Sequence, residues 1–159
     1  MAFEKAKAYL EARGLADRII QPEHSSATVA EAAEAIGCEP GMIAKTLSFL
    51  VDDKPVLILA DGLARIDNRK YKDFFGCKAK MIPPDRVGDL VGHDIGGVCP
   101  FGVNKGVTTY LDVSLRRFET VFPACGSSNS AIELTLPELE RFSRARGWVD
   151  VCKGWRSAD

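Results

Sequence analysis

The chain has 159 residues, 46% hydrophobic and 27% charged, with a formal net charge of −1. That mixture belongs to an ordinary globular domain, so one unit spanning residues 1–159 with one core is expected, and a disordered or globally polyanion-seeking chain is excluded. The longest apolar run, Val56 to Ala60, is far below the roughly 20 residues that span a bilayer, and no basic stretch followed by an apolar signal core opens the chain; the expectation is a cytoplasmic protein with no membrane partner.

The stretch "FEKAKAYLEARG" places Phe3, Ala6, Tyr9 and Leu10 at helical spacing and stops at Gly14, which predicts an amphipathic helix. In "TVAEAAEAIG", Thr28 stands three residues before Glu31 and Gly37 closes the run, the signature of a capped second helix. Pro40 can open another short helix, "PGMIAK", with Lys45 at its end. The runs "TLSFLV" and "VLILA", joined by "DDKP", read as a hairpin at the centre of a sheet. "DNRKYKDFFG" is a helix capped by Asp67 or Asn68 and stopped by Gly76, "CKAKMI" a strand with lysines on one face, and "PPDRVGDLVG" a short helix entered through prolines.

"VTTYLDV", "TVFPAC" and "AIELT" read as strands, with "GSSNS" as the turn between the last two. A capping box of Thr135 and Glu138 opens the helix "LPELERFSRAR", and "WVDV" is a closing strand. Strands outnumber helices without alternating regularly with them, so the fold class is α+β with a mixed sheet.

The five cysteines, Cys38, Cys77, Cys99, Cys125 and Cys152, are odd in number and form no C-x-x-C pair. This argues against a disulfide framework and a structural zinc site and suits a reducing compartment; neither metal nor cofactor is expected. The segment "IGGVCPFG" cannot be regular helix or strand, because glycine loses the most backbone entropy and proline lacks a donor. Two readings of it stand open. Cys99 could be a nucleophile served by His93, six residues before it, although such a thiol needs a lowered pKa and an oriented base. Alternatively Gly96 and Gly97 present backbone amides to a ligand while Pro100 fixes the loop. The second glycine segment, "ACGSSNS", could face that loop with Gly126, Ser127, Ser128 and Ser130, or be a tight turn. Lys45, flanked by residues that favour burial, either meets an anionic or carbonyl partner or snorkels from a helix end. From Arg65 to Lys80, the cations Arg65, Arg69, Lys70, Lys72, Lys78 and Lys80 face only Asp67 and Asp73. That is a solvated face or a local nucleic-acid patch.

Together, "TVAEAAEAIGCEPGMIAKTLSFL", "GGVCPFG" and "ACGSSNSAIEL" resemble the YbaK family of prolyl-tRNA-editing deacylases, over roughly Ala27 to Val151. The resemblance implies a barrel-like mixed sheet surrounded by helices. It implies a free-standing hydrolase that removes a wrong small amino acid, such as alanine or cysteine, from tRNA for proline, a second sieve that a synthetase pocket of limited discrimination needs. By the same resemblance Lys45, Gly96, Gly97 and Pro100 carry the chemistry, with Lys45 orienting the acylated 3′ end and the loop amides holding ester and ribose. Gly126, Ser127, Ser128 and His93 are assigned to the substrate, and Arg65, Arg69, Lys70, Lys78 and Lys80 to tRNA, Tyr71 among them being given to the core. Water assisted by a substrate hydroxyl, or a thiol of the substrate, replaces a protein nucleophile, which leaves Cys99 a loop residue. The implied partners are the acceptor end of misacylated tRNA and an aminoacyl-tRNA synthetase, with no DNA. A noncatalytic tRNA- or synthetase-binding module is the competing expectation.

Overall fold

Two aspartates in left-handed backbone, Asp52 (φ 51°) and Asp53 (φ 62°), turn the chain between the two longest strands. A two-residue loop with both φ positive matches the right-handed strand twist, and aspartate tolerates that conformation better than most residues. The computed structural model describes residues 2–23, 28–93 and 98–155. In chain order these form α1 (Ala2–Glu11), β1 (Ile19–Ile20), α2 (Val29–Ile36), β2 (Ile43–Val51), β3 (Lys54–Asp61), β4 (Arg65–Ile66), α3 (Asn68–Phe75), α4 (Pro84–Val91) and β5 (Thr108–Asp112). There follow β6 (Thr120–Pro123), β7 (Ala131–Ile132), β8 (Leu134–Thr135), α5 (Leu136–Phe142), β9 (Gly147–Val149) and β10 (Cys152–Lys153).

The main sheet is a curled, mixed half-barrel in the order β8-β6-β2-β3-β5-β9, which confirms the α+β class. β2 and β3 pair antiparallel from Ala44↔Asp61 to Val51↔Lys54, whereas β2–β6, β3–β5 and β5–β9 are parallel. Strand alternation then sorts side chains onto two buried faces. Ala44, Leu59, Leu111 and Val121 meet Ala6 and Leu10 of α1, Leu139 of α5, and Cys99 and Phe101 of the loop before β5. On the other face Phe49, Val56, Ile58 and Ala60 pack on Tyr71 of α3, and Ile43 and Phe122 pack on Ala33 of α2. Leu57, Ile58 and Leu59 are wholly buried, each contributing about 2 kcal/mol by removal of apolar surface from water.

The predicted caps are present: the Thr28 hydroxyl accepts from Glu31 N–H, Asp67 from Arg69 and Lys70 N–H, and Thr135 forms the reciprocal box with Glu138. Several boundaries differ from expectation. "PGMIAK" is not a helix; a single 3-10 turn, Pro40–Met42, gives way to β2, so Lys45 is a strand residue rather than a helix end. "CKAKMI" is not a strand but irregular chain held by one bridge, Phe49↔Met81, with Leu50 N–H donating to Lys80 O and Ile82 N–H to Ser48 O. "AIELT" breaks at Glu133 into β7 and β8, because β7 pairs with β1 and β8 with β6. α5 ends at Phe142, and Arg144 just beyond it takes a left-handed conformation (φ 56°).

Among the described residues two carboxylates are fully buried. Asp112 accepts from Ser114 N–H and Val151 N–H, both at 2.9 Å, and ties β5 to the chain after β9. Asp61 accepts from Leu63 N–H at 2.7 Å and is paired with Arg117 at 2.7 Å. Replacing Asp112 by alanine strands two buried donors, each of which costs about 1–3 kcal/mol, whereas Thr135→Ala removes an exposed cap worth about 1 kcal/mol. Urea unfolding should therefore show a markedly larger loss of stability for Asp112→Ala than for Thr135→Ala.

Candidate functional site

Alternation along β2 puts Ile43 and Lys45 on one face, about 6.6 Å apart along the strand. Lys45 is half-buried, and its Nζ donates to Gly62 O at 3.3 Å and to Ala64 O, both on the loop after β3. Burial holds its pKa below the usual lysine range, opposed by the nearby Cys152 and Asp61. Gly62 has to be glycine, because a Cβ there would collide with Pro40 O and Val29; the close approach sets the carbonyl that receives the ammonium. Those two carbonyls engage two of the three N–H donors of the Lys45 ammonium.

Ile43 lines a cavity of about 120 Å³ between α2, β6 and the turn after it. Its floor is apolar, formed by Ala32, Ile36, Ile43, Phe122, Ala124 and Ala131, and its rim carries Ser127, Ser128, Asn129 and Ser130. Ser127 Oγ lies 2.6 Å from Ser130 Oγ and 3.1 Å from Asn129 Oδ1, and Asn129 Nδ2 donates to Pro22 O at 3.4 Å, so the rim is braced from within. Gly126 adopts φ 91°, a conformation that any side chain would strain. An engineered cavity of roughly 150 Å³ admits benzene, so this one suits a side chain of a few heavy atoms.

Gly96 and Gly97 lie outside the described residues. The end of their loop is described: Cys99 is fully buried, with its sulfur against the Gly126 amide. The two glycine segments named from the sequence are thus brought together. Cys99 also lies 3.5 Å from His93 Nε2, the juxtaposition that the nucleophile reading required. Its chemistry opposes that reading. Burial pushes the Cys99 thiol up to about 12, and His93 Nε2 is 2.6 Å from Phe101 O, a contact that requires Nε2 to carry a proton, since a carbonyl only accepts. A protonated nitrogen cannot take the thiol proton. His93 itself is 1% exposed, so it packs the loop and does not line the cavity beside Ile43. Pro100 lines a different, larger cleft on the α1 side.

In the basic segment, Arg65, Arg69, Lys72, Lys78 and Lys80 are exposed, whereas Lys70 is drawn to Asp150 and to Cys152 O, each at 3.2 Å. Tyr71 is fully buried, its ring 5.1 Å from Phe49 and 4.5 Å from Phe75. Sequence reasoning missed Phe74, 52% exposed among these charges; its place on the outer side of an amphipathic helix was the available signal. It missed the Asp61–Arg117 pair as well, because no local pattern links residues so far apart. Among the described residues no group of three His, Cys, Asp or Glu side chains gathers as a metal site would, and no helix is long and apolar enough to cross a membrane.

The model of the aminoacyl-tRNA editing domain family matches residues 23–142. The uncharacterized protein YwhH of Bacillus subtilis (strain 168) is 58% identical over 134 residues, covering 84% of this chain and 85% of that protein. The proline–tRNA ligase of Shouchella clausii (strain KSM-K16) is 34% identical over 134 residues, covering 80% of this chain and 23% of the ligase. A crystal structure described as a candidate trans-editing enzyme for prolyl-tRNA synthetase superposes with a TM-score of 0.86 at 31% identity, over 96% of this chain and 98% of that one.

The thiol environments give a direct check. Cys99, Cys125 and Cys152 are buried and Cys38 and Cys77 half-buried, so Ellman's reagent at neutral pH should label only Cys38 and Cys77 in the native protein and all the cysteines after denaturation. Rapid native labelling of Cys99 would contradict the inert-thiol assignment.

Proposed function

Because the chain belongs to the aminoacyl-tRNA editing domain family, we propose that it acts in trans as a hydrolase that removes a wrongly attached small amino acid, such as alanine or cysteine, from tRNA for proline. The observation that carries this reading is the cavity of about 120 Å³, apolar at its floor and hydroxyl-rimmed, opening beside the junction of Gly126 with the Cys99 loop. A pocket of that size accepts a side chain of a few heavy atoms, a methyl or thiol group among them, and crowds an aromatic one. Size is the criterion that a second sieve needs, because a synthetic site separates neighbours differing by one methylene only about 10 to 200-fold.

In this reading Ser127 and Ser128 hold the amino acid, and Gly126 leaves room for it. Lys45 directs its remaining N–H to the ester or to the terminal nucleotide. The backbone amides of Gly96 and Gly97, in a loop that Pro100 fixes, would meet the negative charge that develops on the carbonyl oxygen, and amides pre-aimed at that charge need no reorganisation during the reaction. Water attacks the carbonyl carbon, the ester C–O bond breaks, and the 3′ oxygen of the tRNA leaves with a proton. With Cys99 protonated and buried, a hydroxyl or thiol of the bound substrate is what can position that water. Arg65, Arg69, Lys72, Lys78 and Lys80 supply cations for acceptor-stem phosphates, and exposed Phe74 offers a ring on which an unpaired base can stack. Lys70, already paired, contributes less. Such a protein works in the cytoplasm, where tRNA is charged, and a synthetase is its natural partner.

The test is a deacylation panel of alanyl, cysteinyl, seryl and threonyl esters on several tRNAs. Release of one small amino acid is expected, with Lys45→Ala slowing it at least about 100-fold, the scale of losing one stabilising donor, and Cys99→Ser leaving it within severalfold. Tight tRNA binding with no release from any ester would make the protein a noncatalytic module. An inactive Cys99→Ser beside an active Lys45→Ala would make it a thiol hydrolase.

A further inference from the structure

The larger cleft lies on the opposite face of the sheet from the editing cavity. Its volume is about 540 Å³, and its walls come from α1, from the loop between Pro100 and Val107, and from the turn after α5. Arg13, Lys105 and Arg144 all line it, and among the described residues no aspartate or glutamate does. Converging like charges repel unless an anion joins them, and a concave low-dielectric wall focuses their field.

The walls are also held in place. Tyr9 OH donates to Phe142 O at 2.7 Å, joining α1 to α5. The Arg13 guanidinium lies 3.5 Å above the Tyr9 ring and donates to Tyr9 O at 2.8 Å, an arrangement that leaves further N–H groups of its fork for a ligand. Asn104 fixes the loop that carries Lys105, its N–H donating to Val91 O and its side-chain amide to Asp89 O, both at 2.9 Å. Pro100 forms part of the wall while Cys99, the residue before it, is buried toward Gly126, so one loop serves both openings.

The geometry points to a second ligand site in this cleft, one that takes phosphate groups through Arg13, Lys105 and Arg144. Planar guanidinium forks pair with phosphate oxygens, and a lysine adds a point charge. The phosphate can belong to an RNA backbone or to a free phosphate compound, and the site stands independently of ester hydrolysis. Binding is therefore measured with unacylated RNA: an acceptor-stem minihelix titrated across salt concentrations, with inorganic pyrophosphate as competitor. The variant carries Arg13→Gln, Lys105→Gln and Arg144→Gln together. A control of equal charge change carries Lys7→Gln, Lys54→Gln and Arg86→Gln, all exposed and outside the cleft.

The cleft variant should bind the minihelix at least about tenfold more weakly, and its salt slope should fall by roughly 0.9 for each phosphate that the protein no longer neutralises. The control should match the unmodified protein, and pyrophosphate should compete. If minihelix affinity is unchanged while pyrophosphate binding disappears in the cleft variant, the site stands and its ligand is a free phosphate compound. If neither ligand is affected, or the control weakens binding equally, the proposal is wrong. Because no step involves an aminoacyl ester, this outcome is separate from success or failure of the deacylation panel.

Discussion

The pairing of β2 with β3 is the constraint on which the rest depends. Both strands are covered on two faces, so each residue's parity decides which half of the molecule it helps to build. Even positions of β2 send Ala44 and Leu50 toward α1, α4 and α5, and odd positions send Ile43, Lys45 and Phe49 toward α2 and α3. A slip of one residue would exchange the faces, placing an ammonium group in the core and Ala44 at the cavity. The two-residue turn at Asp52 and Asp53 prevents that slip, since it aligns Val51 with Lys54 and every later pair with it.

Lys45 shows how that register produces a site. A lysine in the middle of a sheet has to satisfy its donors or remain outside, because a buried unpaired ammonium is costly. Here the loop after β3 folds back to offer the carbonyls of Gly62 and Ala64, and the absence of a side chain at Gly62 lets that loop press against Pro40 and Val29. On the other face Asp61, the last residue of β3, secures the same loop through Leu63 N–H and Arg117. The cation and the carboxylate thus hold one turn from opposite sides, and the small cavity opens at the foot of the strand that carries the cation.

Two groups of basic residues bear on anion binding. Those between Arg65 and Lys80 surround a fully buried tyrosine, and one of them is neutralised by Asp150, so their concentration in sequence overstates the free charge. Arg13, Lys105 and Arg144 are scattered along the chain and share one concave wall that holds no carboxylate among the described residues. A phosphate ligand responds to the summed field at a point in space, which makes the scattered trio the more focused electrostatic feature.

Legible in the chain alone are the helix starts and stops, the central hairpin, the α+β class and the glycine segments that meet at Cys99 and Gly126. Each of these is set by local chemistry: a hydroxyl three residues before a glutamate, a glycine at a left-handed stop, an apolar run between turn formers. In "PGMIAK" and "CKAKMI" the demands of neighbouring strands overrule local propensity; β2 begins early to pair with β6, and the second segment supplies only one bridge. That Cys99 is buried beside a histidine already committed to a carbonyl, that His93 is packed in the core, and that Lys45 binds backbone carbonyls follows from the assembled fold alone. Burial, a donor already committed to a carbonyl, and a cleft drawn from three distant segments depend on which residues meet across the fold, and residue order along the chain does not contain that information.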